Sequence, residues 1–213
     1  MPTPPHPYTL IPAAETGERF SDFFPYVASI NNLGTVAFQA ALADGGSGVF
    51  TSRDSAIDVI ADHTTALITP ITPITAITAI TSHPAIADDG SICFYAAVTS
   101  GASAVMLLKR GDLITVAPSH GPLGPTINQH GAIAFRAVSP TGSDAIFTSN
   151  SNAATLIAEV GDKFSAFRGL PVINSRGEVC FRADHQSGGA GIYTLAKRIA
   201  RNCRDWHRGP PRR

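Results

Sequence analysis

The sequence predicts an all-β fold, a four-bladed β-propeller of four-stranded antiparallel blades, on three observations. An eleven-residue unit occurs four times: INNLGTVAFQA (30–40), IADDGSICFYA (86–96), INQHGAIAFRA (127–137) and INSRGEVCFRA (173–183). Further strand signals follow every copy, and the strand that the last copy lacks has its likeness at the start of the chain. Self-similarity at long period marks a repeat architecture, in which each unit buries its apolar face against its neighbours.

Each copy opens with an apolar segment near a proline (25–30, 84–87, 122–127, 171–173), expected as the innermost strand. An Asn/Asp-rich tetrapeptide ending in Gly34, Gly90, Gly131 or Gly177 follows. It reads as a hairpin turn, because Asn and Asp bond their own backbone and Gly supplies positive φ without steric cost. A period-2 strand comes next (35–42, 91–98, 132–138, 178–184). A Gly/Ser/Asp-rich connection leads to a third strand, GVFT (48–51), AVML (104–107), AIFT (145–148) or GIYT (191–194). The fourth strand is IDVIA (57–61), LITVA (113–117) or TLIA (155–158), and the last copy has none.

The N-terminal YTLIPA (8–13) reads like ATLIA (154–158), and GERFSDF (17–23) like GDKFSAF (161–167). The N-terminal strand is therefore expected to complete the C-terminal blade and close a ring, which removes open sheet edges. The aligned glycines are 56, 41 and 46 residues apart. The long first interval contains ITPITPITAITAIT (68–81), whose period of three fits neither strand nor helix and suits polyproline II. It is expected as an insertion (63–83) in a surface loop, since each doubling of loop length costs only ~0.6 kcal/mol. Phe38, Phe94, Phe135 and Phe181 share one register and are expected in the core between blades. Ala37, Cys93, Ala134 and Cys180 share the adjacent slot, so the two cysteines read as small buried hydrophobes.

With 44% apolar and 15% charged residues the chain can bury a core and is not disordered in bulk. Its neutral balance hides an asymmetry: residues 197–213 carry seven basic side chains against one acid, leaving nine basic against 15 acidic in the body. Such a tail is either a solvated terminus or an arm for nucleic acid; Gly209-Pro210-Pro211 favours the former. Three cysteines without CxxC spacing predict neither a disulfide framework nor a zinc site. No secretory signal pattern opens the chain and no apolar run reaches membrane-spanning length. The expectation is a disordered 1–7, one propeller over 8–197 and a disordered basic 198–213. The compartment expected is the cytoplasm, with export left open for a trimmed chain.

The pattern Ile-Asn-x-x-Gly-x-Val-Ala-Phe-x-Ala, then Gly-Val-Phe and Gly-Asp/Glu-x-Phe-x-x-Phe, resembles tandem repeats of uncharacterised bacterial β-propeller proteins, many of them exported. Its layout is similar to NHL-type repeats, where a Pro-led inner strand precedes an Asp-x-x-Gly turn. The resemblance covers residues 8–195 and implies a fold but no catalytic residues. The Gly-x-x-Phe-x-x-Phe run is replaced after copy two by a short segment, residues 118–125.

Function in such a ring would sit where loops converge on the axis. His83, His120 and His185 come from three copies; together they would make a catalytic-type metal site, and apart they are three surface histidines. Asp162 and Arg168 stand on the same loops as candidate acid/base groups. Arg136 and Arg182 share the slot of Gln39 and Tyr95; they either bind an anionic ligand or pair with acids such as Asp184 and Glu178. Asn31, Asn128 and Asn174 are turn formers first. No cofactor is identified, and no Gly-x-Ser-x-Gly elbow, phosphate loop or HExxH motif occurs.

Two readings follow. One is a non-catalytic module that presents loops to a protein, glycan or small-molecule ligand, since every repeated residue has a structural job. The other is a hydrolase or lyase, metal-dependent or not, with its site on the axial loops. Nucleic acid enters only through the basic tail, and no membrane partner is expected.

Overall fold

A computed structural model describes residues 9–67, 75–118, 123–151 and 153–195. The expected disordered 1–7, the basic 198–213, His120 and much of the Ile-Thr run lie outside them. The described chain is all β, in four antiparallel sheets taken up in chain order. Sheet one holds β1 (Phe20–Phe23), β2 (Ser29–Ile30), β3 (Val36–Leu42), β4 (Ser47–Arg53) and β5 (Ala56–Asp62), ordered β1-β3-β4-β5 with β2 also on β3. Sheet two holds β6 (Ala66–Leu67), β7 (Thr75–Ile80), β8 (Ala85–Ile86), β9 (Ile92–Val98), β10 (Ser103–Lys109) and β11 (Asp112–Pro118), ordered β11-β10-β9-β7-β6 with β8 on β9. Sheet three is β12 (Thr126–Ile127), β13 (Ile133–Val138), β14 (Asp144–Ser149) and β15 (Ala154–Glu159) in order. Sheet four is β16 (Phe164–Ile173), β17 (Val179–His185) and β18 (Ala190–Leu195). The described sheets thus carry five, six, four and three strands, not four each.

Period-2 alternation gives each second strand two working faces. Phe94 of β9 faces back to Ala37 and Val49 of sheet one, while Cys93 and Tyr95 face forward to Phe135 of β13. Ala134 and Ile146 of sheet three then face Phe181 and Phe164 of sheet four. A large aromatic on one sheet therefore meets a small residue on the sheet before it, which lets the two interdigitate at interior density. Phe38, Phe94, Phe135 and Phe181 are between 0% and 6% exposed, as the repeat predicts. Each such burial contributes roughly 1.5–3 kcal/mol.

The turns take the form the sequence implies. Asn31 Oδ1 accepts from the backbone N–H of Leu33 and Thr35, and Asn128 Oδ1 from those of His130 and Ala132. At Gly131, with φ of 74°, a Cβ would come within 2.9 Å of the Asp89 carboxylate of the preceding sheet, so both backbone conformation and space require glycine.

Two expectations are overturned. The Ile-Thr run is no surface insertion over its described part: Thr75–Ile80 is a strand on β9, with Ile77 and Ile80 in the core. A β-bulge between Ile77 and Ala79 adds one residue and so places side chains three apart on one face. The same bulge lies between Phe20 and Asp22 and between Phe164 and Ala166, which aligns Ile-x-x-Ile with the Phe-x-x-Phe of sheets one and four. Nor is the expected ring closure seen: among the described residues the N-terminal segment is not paired with sheet four. Residues 9–12 form no strand, Leu10 is 95% and Ile11 79% exposed, and β18 pairs only with β17 among the described residues. The segment is held at the other end: the Ser52 hydroxyl donates to the carbonyl of Ala13, and Ala14 packs on the Phe20, Phe38 and Phe50 cluster.

Candidate functional site

The first strands of successive sheets touch, β2 on β8, β8 on β12 and β12 on β16, so the array converges along this edge. Along it the chain leaves the ladder in excursions: 24–28 between β1 and β2, 81–84 between β7 and β8, and the register break between Arg168 and Val172 within β16. A proline in each (Pro25, Pro84, Pro171) has no N–H to give the ladder, which fixes the excursion where the sequence puts it.

These excursions gather a small constellation. The His83 ring lies 6.4 Å from that of Tyr26, and a side chain at Gly124 would meet Ser82 at 2.9 Å and His83 at 3.3 Å. His83 thus stands where sheets one, two and three meet. Burial without a charged partner holds its pKa below the ordinary value, so the ring is neutral at neutral pH. The buried Ser82 hydroxyl accepts from the Tyr95 N–H and donates to the His83 carbonyl, which leaves it no proton for chemistry. Tyr26 presents an exposed face beside it, and Leu123, the neighbour of Gly124 in sequence, is exposed as well.

The remaining candidates do not join His83. His185, at the end of β17, bonds the Tyr193 hydroxyl and lies 6.4 Å from Phe164, with Lys163 Nζ 4.8 Å from the Tyr193 ring centre. Arg168 pairs with Asp184 at 2.8 Å, and Arg182 reaches the same carboxylate at 3.7 Å, as the sequence allows. Arg136 pairs instead with Asp144 at 2.6 Å in a largely buried contact, and its Nη1 donates to the Gly169 carbonyl of sheet four. Asp162 stands in the exposed turn before β16. Among the described residues no three His, Cys, Asp or Glu side chains come together as a metal site.

The repeated polar slots serve the junctions. Asn31 Nδ2 donates to the Ala87 carbonyl and Asn128 Nδ2 to that of Asn174, each reaching the next sheet's turn. Gln39 Nε2 donates to the Ile80 carbonyl, and the Tyr95 hydroxyl accepts from the Arg136 N–H. Burial pushes both the Cys93 thiol and the Tyr95 phenol far up, so neither ionises in the folded protein. A cleft of about 370 Å³ between sheets three and four is lined by Ala132, Thr148, Leu156, Ile157, Ile173 and Leu195 among others, with no charged side chain. Tyr26, Ser82 and Gly169 were not singled out by the repeat, since they lie in excursions that differ in every copy, and Asp144, the first residue of β14, stands in a slot that the other copies fill with Ser47, Ser103 and Ala190.

No family model and no curated protein matches the chain. Among solved structures it resembles the Hadza microbial sialidase Hz136 with a TM-score of 0.42 and 11% identity, over 79% of this chain and 42% of that one. The chain spans less than half the length of that structure. Among the described residues no helix is long and apolar enough to cross a membrane.

Proposed function

We propose that this protein is a non-catalytic binding module, its four sheets acting as blades of a propeller-type scaffold whose converging excursions meet the ligand. One observation carries the reading: in sheets one to three the Asn31, Asn128, Gln39, Tyr95 and Arg136 side chains are spent on neighbouring sheets instead of a common centre. The surface presented near the convergent edge includes Tyr26, neutral His83 and Leu123, with Val27 exposed in the same excursion as Tyr26. An aromatic face, an uncharged imidazole and an aliphatic side chain suit stacking and apolar contact with a glycan or peptide more than acid/base work.

The test has two arms. Purified protein is assayed for zinc, iron and calcium and for turnover of p-nitrophenyl esters and glycosides, alongside His83→Ala and His120→Ala. The module reading expects background turnover that neither variant changes; near-stoichiometric metal, or turnover lost in either variant, overturns it. Binding is read by thermal shift against defined oligosaccharides and peptides, with Tyr26→Ala expected to abolish any shift seen.

A further inference from the structure

The outward face of sheet four is an interface half whose equivalents are all covered. Each third strand places one aliphatic residue opposite the Gln39, Tyr95, Arg136 and Arg182 slot: Val49, Val105, Ile146 and Ile192. The first three are 0%, 0% and 1% exposed against the next sheet; Ile192 is 69% exposed. Cys180 occupies the slot in which Ala37, Cys93 and Ala134 are fully buried, and it too is partly open. The polar latches of this face point nowhere equivalent. Asn174 Nδ2 turns back to Glu178, where Asn31 and Asn128 reach the next sheet, and Arg182 is exposed where Arg136 reaches a carbonyl.

The complementary half stands at the other end of the chain. In sheet three the residue opposite Ile146 is Ala158, which also packs on the aromatic cluster of sheet four, three residues before Gly161, whose N–H donates to the Phe164 carbonyl. Ala14 packs on the aromatic cluster of sheet one in the same way, three residues before Gly17, whose N–H donates to the Phe20 carbonyl. Arg19 over Phe20 and Phe50 matches Lys163 over Phe164 and Tyr193. Residues 10–14 therefore hold the place, relative to sheet one, of the last strand of a preceding sheet. Sheet four lacks just that strand among the described residues, and no apolar cluster joins sheet four to sheet one.

We propose that copies of this chain join head to tail, the segment 10–14 of one copy lying along β18 and its sheet one packing on the Cys180 and Ile192 face of the other. The interface continues one that the chain already makes three times. The outer edge of β18, unpaired among the described residues, gives the backbone bonds, and Ile192 and Val172 give apolar area to bury. By the repeat, Asn174 Nδ2 donates to the second copy's Asn31 carbonyl, and Ala14, Ile11 and Leu10 lie opposite Ile192, Thr194 and Leu195. Such a contact is heterologous, so it propagates until a ring closes or a filament grows.

Sedimentation velocity of the full chain over a wide concentration range tests this directly. Concentration-dependent association is expected, with Ile192→Arg raising its Kd about tenfold or more while circular dichroism stays unchanged, since the side chain is exposed in the single copy. In a Cys180→Ala, Cys203→Ala background, mixed Ile11→Cys and Thr194→Cys chains are expected to form a disulfide between copies. A monomer at every concentration overturns the proposal, and so does association that Ile192→Arg leaves unchanged. A double Ile11→Cys, Thr194→Cys chain that oxidises within one dilute copy also overturns it, because the segment then closes on its own sheet four.

Discussion

Ile146 and Ile192 occupy one slot of one repeat, two positions after the start of the third strand, and differ only in what lies beyond them. Ile146 is sealed under Phe164 and Phe181 of sheet four, while Ile192 faces outward. The pair separates what a residue contributes through its own sheet from what it contributes through the next. Local β propensity is the same for both, so any difference in stability comes from the junction. Ile146→Ala is expected to cost about 2–5 kcal/mol through lost burial and a residual cavity. Ile192→Ala should stay within about 0.5 kcal/mol in dilute monomer. Urea denaturation of both variants at low concentration checks this; similar losses at the two sites would mean that junctions do not hold the array together.

The asparagine turns sharpen the same contrast for polar groups. Asn128 and Asn174 form the same turn through Oδ1, but only Asn128 also bonds the next sheet. Asn128→Ala is expected to cost about 1–3 kcal/mol, because turn and junction lose bonds together. Asn174→Ala should cost about 1 kcal/mol less, because the Nδ2 bond it loses is an exposed one to Glu178 and not one across the junction. Equal losses would assign the whole effect to the turn. Sheet two shows the turn surviving without this Asn: Ala87 fills the slot, and Asp89 Oδ1 accepts the Ser91 N–H instead.

The parts legible in the sequence are those that each sheet solves alone. The hairpin turns, the second to fourth strands and the buried phenylalanines follow from period-2 alternation and from Asn-x-x-Gly, which need no knowledge of neighbours. Residues 75–80 do not read as a strand from the sequence because the bulge converts a period of two into a spacing of three, and periodicity arguments assume an unbroken pleat. Phe20-x-x-Phe23 and Phe164-x-x-Phe167 carried the same spacing and could have exposed it. Ring closure was inferred from likeness between residues 8–13 and 154–158. Likeness identifies the kind of strand but not which sheet receives it, and Ala14 is held on sheet one. Arg182 with Asp184 was legible as an opposite-charge pair two residues apart, whereas Arg136 with Asp144 needs the register of β13 on β14.

The smallest effect concerns His83, which compares a histidine packed at a junction with the same ring in the unfolded chain. Burial lowers its folded pKa below 6.5, so the fold favours the neutral form. Above the unfolded value both states hold the ring neutral and the packing contributes fully. As pH falls below about 6.5 the unfolded chain takes up a proton that the folded one resists, so stability declines until the folded pKa is reached. Denaturation midpoints at about pH 7 and about pH 5 should therefore differ more for the native chain than for His83→Gln, whose side chain does not titrate. The difference between the two proteins cancels the carboxylates, which titrate lower. If both lose stability equally, the ring is solvated in solution and Tyr26 and His83 do not form a packed surface at the convergent edge.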